Sequence, residues 1–190
     1  MDTPFLTPIE KPKGFLAKFL YFYSKKKIGK VMTPLKVMVN RLPFSFAVFA
    51  GKISQLDKKL QLPAETVMLV RQKVAEINVC LFCIDIGRAK TIESSMDQAK
   101  FDALSAYETS SLFTKKEKVL LDFVTRLARD RKMEKDLFDE LARYYDERSI
   151  CEIIWITATE FYYNITNIGL NVHSDMLCDI AKMRKRQKAL

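Results

Sequence analysis

Val67, Val70, Val74 and Ile77 are spaced by three, four and three residues. That period puts all four side chains on one stripe of a helix and on no single face of a strand. The stretch opens at Leu62-Pro63, and proline suits a first helical turn because its missing N–H has no partner there anyway. The pattern recurs after Thr114, where Val119, Leu120, Phe123, Val124 and Leu127 turn inward. Five glycines and six prolines in 190 residues leave few points at which the chain can turn sharply. No pair of alternating runs flanks a hairpin turn, and no segment repeats. The expected fold is all-α, a single-domain bundle of about eight helices.

Those helices are expected over 34–40, 43–60, 63–77, from Asn78 to about Glu93, 96–107, 114 to about 127, 132–145 and 149–170, with a terminal helix from Ser174. Thr114 with Glu117, and Ser149 with Glu152, carry the Ser/Thr-x-x-Glu spacing of a capping box. Asn78 reads as the stop of one helix and the N-cap of the next. Asn171-Val172-His173 reads as a loop. Around a domain at 27–180 stand an arm and basic aromatic helix at 1–26 and a basic tail at 181–190.

The formal charge of +9 belongs to one end of the chain. Residues 1–60 hold twelve Lys and Arg against three Asp and Glu, and positions 61–190 hold twenty of each. Gly14 to Tyr23 is aromatic and apolar, and Lys25, Lys26 and Lys27 follow. Residues 13–30 therefore offer membrane contact as one reading. The other is a helix packed on its own domain or on a sister subunit, with its lysines solvated. No phosphate loop, zinc-finger spacing or RNA-binding aromatic motif supports nucleic acid as a partner. No apolar run reaches the roughly 20 residues of a membrane span, and no signal-peptide core is visible. The expectation is a cytoplasmic protein, a setting where structural disulfides are rare.

In that setting Cys80 and Cys83 are the informative pair. Thiols three residues apart on a helical turn sit on nearly one face, close enough to cycle between dithiol and disulfide. The alternative is two small buried hydrophobes. A metal site would need four donors; Cys151, Cys178 and His173 stand singly, so neither metal nor cofactor is expected. The start of the helix after Asn78 favours a thiolate, and Arg88 lies five residues beyond Cys83.

The segment Val70-Arg71-x-x-Val74-Ala75-x-Ile77-Asn78-x-Cys80-x-x-Cys83-x-Asp85 resembles the carboxymuconolactone decarboxylase family, in its alkylhydroperoxidase-D-like (AhpD-like), peroxidase-related branch. Phe113 to Glu117, Ala158 to Asn167 and Ser174-Asp175 are similar to that branch's later helices. The resemblance implies an all-α fold assembled as dimers, trimers or hexamers. It also implies thiol-dependent reduction of a hydroperoxide at the expense of a dithiol donor. By the same resemblance a deeper Cys83 attacks the peroxide and Cys80 resolves it.

Three positions depart from the pattern. Met68 stands where the family has glutamate, Gly87 where it has histidine, and Val79 where it has glycine. The first two are the family's proton relay. Candidate replacements are Glu76, Asp85, Glu160 and His173. Glu160 lies among apolar residues, where a carboxylate is paired or has a raised pKa. His173 is either a displaced base or a loop-side surface or capping residue. A catalytically silent helical oligomer binding a small apolar ligand or a protein is the second reading.

Overall fold

The computed structural model describes residues 3–188, so 1–2 of the arm and 189–190 of the tail lie outside the described residues. Among the described residues there are nine α-helices and no strand. They are α1 Phe15–Ile28, α2 Phe49–Asp57, α3 Ala64–Ile77, α4 Leu81–Glu93, α5 Gln98–Asp102, α6 Lys115–Thr125, α7 Lys135–Ala142, α8 Glu147–Ile168 and α9 Leu177–Lys188. Wide π turns occupy Leu35–Val39, Pro43–Val48 and Arg126–Asp130, and a 3₁₀ turn spans Leu104–Ala106. The expected helix over 96–107 is thus two short pieces. Asp97 starts the first by accepting a hydrogen bond from the Ala99 N–H, and Ala103 closes it.

Helix α3 is central and packs on α4, α6 and α8. Its expected stripe holds: Val70 and Val74 are fully buried, against Leu120, Phe123 and Val124 of α6, Ile153 and Ile156 of α8, and Leu141 of α7. A second apolar cluster joins α4 to α9 through Phe82, Ala89, Ile92, Leu177 and Ala181, and it contains Cys80 and Cys83. The thiol pair is therefore seated in core.

The Thr114–Glu117 capping box forms as read. The one expected at Ser149 does not. Asp146 caps α8 instead, accepting from the Ser149 N–H at 2.7 Å, which starts the helix earlier. Glu152 turns inward and accepts from the Gln61 and Leu62 N–H groups, with Arg148 beside it. Ser149 and Glu152 carry the right spacing, but a carboxylate one turn earlier and unpaired N–H groups ahead of α3 claim the two partners. Asn78 likewise closes α3 only, and Cys80 is the N-cap residue of α4. Ser174 accepts a hydrogen bond from the Met176 N–H and does not cap α9.

The arm is tied to the domain by Phe5 N–H to Leu170 C=O (3.0 Å), Ile9 N–H to Lys36 C=O (3.1 Å) and the Asn171 side chain to Thr3 C=O (2.9 Å). Helix α1 lays Ala17, Tyr21 and Ser24 on the domain and exposes Phe15, Phe19, Phe22 and Tyr23 on its opposite face. No helix among the described residues is long and apolar enough to cross a membrane.

Candidate active site

The loop that presents the first cysteine is a helix ending. Cys80 N–H reaches back to Ala75 C=O and Val79 N–H to Glu76 C=O, the paired bonds of a Schellman closure. Such a closure needs its C′ residue in the left-handed region, and Val79 stands there with φ 54°. A β-branched residue is strained in that region, which is why glycine suits the position. The cost is about 1–2 kcal/mol, partly offset because glycine is freer in the unfolded chain. Val79→Gly should therefore stabilise the protein by about 0.5–1 kcal/mol in urea melts; a loss of stability would contradict the strain.

The closure reverses the chain so that Cys80 heads α4 and Cys83 follows in its first turn. The two are joined as a disulfide, with Cα atoms 5.2 Å apart. Both are buried, Cys80 at 1% exposure and Cys83 at 4%. The expectation of a deeper Cys83 is not met. Cys83 is the one that lines a cavity of about 270 Å³, and Cys80 lies behind it. The Asn167 amide reaches Cys83 Sγ at 3.5 Å while also donating to Tyr163 C=O at 2.9 Å, a contact that fixes which atom of the amide is the nitrogen. It places a hydrogen-bond donor at a sulfur that would carry negative charge.

Helix α8 supplies the other wall. Its inward stripe of Ile153 and Ile156 continues as Glu160, Asn164 and Asn167 at the same helical spacing. Polar side chains at core positions must find partners. Here the Asn78 amide donates to Asn164 Oδ1 (2.9 Å), and Asn164 donates to Glu160 Oε1 (2.8 Å). Arg71 Nη1 donates to Glu160 Oε2 (2.9 Å), and Arg71 Nη2 to Asp57 Oδ2 (2.6 Å). Trp155 Nε1 completes the chain on Asp57 Oδ1 at 3.1 Å. The network links the residue before the Cys loop to a buried ion group at the far end of the cavity. Glu160 is paired, as one of its two expected states requires.

The other candidates stand elsewhere. Asp85 is buried, and its carboxylate accepts the backbone N–H groups of Asp175, Leu177 and Cys178 at 2.9–3.0 Å, so it caps α9. Glu76 does not line the cavity. Burial above all raises its pKa, with Lys73 and Arg88 pulling it down, and its Oε2 is buried without a partner. His173 pairs with Asn171 Oδ1 at 3.0 Å in the loop before α9. Arg88 is not at the thiols; it pairs with Asp102 beneath the C-terminal helix.

The two departures have physical counterparts. Met68 is packed in an apolar cluster with Leu69, Phe101 and Leu121. Gly87 is covered by Gln72, whose amide occupies the place of a Cβ and donates to Cys83 C=O at 3.3 Å. A histidine at position 87 would meet that side chain. Asn167, Asp57 and Lys90 join the cavity lining with no expectation behind them. The signal for Asn167 is its place on the apolar face of α8; nothing in the sequence points to Asp57 or Lys90.

The fold and the cysteine pair together define the class: an all-α protein with a Cys-x-x-Cys pair whose second cysteine lines a cavity. No family model matches the chain. Uncharacterized protein YnjA of Escherichia coli (strain K12) is 24% identical over 163 residues, covering 84% of this chain and 88% of that protein. Among solved structures, a cysteine-to-alanine variant of the debrominase Bmp8 in complex with 2,3,4-tribromopyrrole superposes with a TM-score of 0.78 at 19% identity, over 95% of this chain and 96% of that one. An alkylhydroperoxidase AhpD core, an uncharacterized peroxidase-related protein from Ralstonia eutropha JMP134, gives 0.74 at 16% identity, over 93% and 98%. A putative antioxidant defence protein AhpD from Agrobacterium tumefaciens gives 0.67 at 17% identity, over 72% and 94%. The chain has the AhpD-like fold.

Proposed function

We propose that the protein is a thiol-dependent hydroperoxide reductase. The observation that carries this reading is Cys83 at the cavity floor, with Cys80 bonded behind it and the Asn167 amide at its sulfur. In the first step the Cys83 thiol attacks the distal peroxide oxygen. The O–O bond breaks, an alcohol leaves with the proton, and Cys83 becomes a sulfenic acid. In the second, the Cys80 thiol attacks that sulfur, expelling water and forming the disulfide. A dithiol donor then reduces the disulfide and is itself oxidised. Glu160 and Asp57 are the carboxylates lining the cavity, and a water chain from Glu160, the one on the same helix as Asn167, would manage protons at the sulfur. The exposed aromatic stripe of α1 suits the contact between copies that a homo-oligomer would need.

The test is thiol titration of the reduced protein with and without cumene hydroperoxide. One equivalent of peroxide should remove two thiols and form the Cys80–Cys83 disulfide; Cys83→Ser should abolish peroxide-dependent oxidation of a dithiol donor. Undiminished donor oxidation in that variant would end the proposal.

Binding without catalysis is the second reading, favoured by Met68 in an apolar cluster and Gly87 under Gln72, where a relay would stand. Thiols untouched by peroxide would select it. Because one structure of this fold belongs to a debrominase, 2,3,4-tribromopyrrole makes a fitting third arm.

A further inference from the structure

The cavity is a slot between two helices whose registers match. From α4 come Cys83, Ile86 and Lys90; from α8 come Asn167, Tyr163 and Glu160. Cys83 meets Asn167, and the charge of Glu160 reaches Lys90, so the two walls run antiparallel. This arrangement divides the slot into a reactive end at Cys83 and Asn167, an apolar middle at Ile86 and Tyr163, and a charged end at Lys90 and Glu160. Phe46 and Phe82 add to the apolar walls. On each helix the first and last layers are two turns apart in sequence, Cys83 to Lys90 and Glu160 to Asn167. At a rise of about 1.5 Å per residue, that separation is about 10 Å.

The charged end is not uniformly occupied. Arg71 is filled by Asp57 and Glu160, Asp57 is also held by Trp155, and Glu160 by Asn164. Lys90 lines the slot with part of its side chain open to solvent; burial of its ammonium lowers its pKa, and it makes no ion pair or side-chain hydrogen bond to any described residue. The charges acting on it are Arg71, which disfavours its ammonium, and Glu160, Asp57 and Glu93, which favour it. Among the lining residues Arg71, Lys90, Asp57 and Glu160 sum to zero charge, and Glu93, outside the lining, lies beside Arg184, so the feature that calls for a ligand is not net charge but the N–H donors of Lys90, which lack a protein acceptor. A ligand matching the slot has an apolar body of about eight carbons and an acceptor head at Lys90, and a carboxylate gives an ammonium its strongest hydrogen bond.

We propose that the slot takes a medium-chain carboxylate-bearing substrate, with Lys90 as the specificity-determining residue that binds its carboxylate. The reacting group would then lie at Cys83, a placement that rests on the thiol chemistry proposed above.

Binding can be read without turnover, which keeps the two proposals separable. Octanoate and 1-octanol are titrated by calorimetry into the oxidised, disulfide-bonded full chain, as wild type, Lys90→Gln, Lys90→Arg and Ile86→Trp. Wild type should bind octanoate at least tenfold tighter than 1-octanol. Lys90→Gln should bring the two within threefold of each other, and Lys90→Arg should restore the preference. Ile86→Trp, which fills the apolar middle, should weaken both ligands at least tenfold. Equal affinities in wild type, a preference that survives Lys90→Gln, or binding indifferent to Ile86→Trp would each overturn the proposal. Octanoate binding as described, together with thiols inert to peroxide, would retain this site and remove only the peroxidase reading.

Discussion

Asp85→Ala should cost about 3 kcal/mol of stability. The Asp85 carboxylate takes three backbone N–H groups at the start of α9, from Asp175, Leu177 and Cys178. An N-cap alone is worth about 1–2 kcal/mol. Hydrogen bonds to a charged group exceed neutral ones at about 1.5–3 kcal/mol, and here the orphaned donors would remain buried. For a chain of this size the expected fall in Tm is roughly 6–12 °C. Asp85→Asn should recover only part of it, because its amide keeps one acceptor and turns a donor toward N–H groups. A urea melt within about 0.5 kcal/mol of wild type, the range of an ordinary surface substitution, would show that the cap is dispensable. The same variants separate two roles for this residue. A cap loses stability first, whereas a proton acceptor for the thiols would lose peroxide-dependent oxidation in Asp85→Asn with the melt little changed.

Arg71→Met should be at least as damaging, at about 3–5 kcal/mol. Among the described residues Arg71 is the cation ion-paired with both Asp57 and Glu160, and its side chain is only 11% exposed. Removing it leaves two neighbouring carboxylates facing each other, with Glu160 in the interior. Glu160→Gln is milder, since the Asn164 hydrogen bond to the side-chain oxygen survives and Arg71 retains Asp57. A double-mutant cycle in urea melts gives the coupling directly: Arg71→Met should cost much less once Glu160 is already neutral. Strict additivity would mean that the pair is decorative. These losses are read on stability, so they are separate from any effect on ligand binding.

The all-α architecture was legible because apolar spacing is a backbone-level signal. Val70, Val74, Ile153 and Ile156 sit where their period puts them. Helix ends were legible only where one side chain had no competitor. Thr114 and Glu117 cap each other, but Glu152 is claimed by N–H groups some 90 residues away, and no local pattern shows that. The same limit governs the site. The cysteine pair is local, and its position at a helix start was readable. Asp85 reads as a charge beside the thiols because it is two residues from Cys83, yet its partners lie on α9. Gln72 carries no motif at all, and it covers Gly87 only because α3 and α4 lie side by side.

Because Cys83 and Lys90 stand on one helix, the spacing of their backbone positions behaves as a ruler with fixed graduations, and only the reach of the lysine stem can trim it. Loop flexibility cannot adjust it, and the next rung available on that face is a full turn away, about 5.4 Å. Moving the cation to suit a shorter or longer ligand would mean relocating it by whole helical turns, in steps that no gradual drift of backbone could fill.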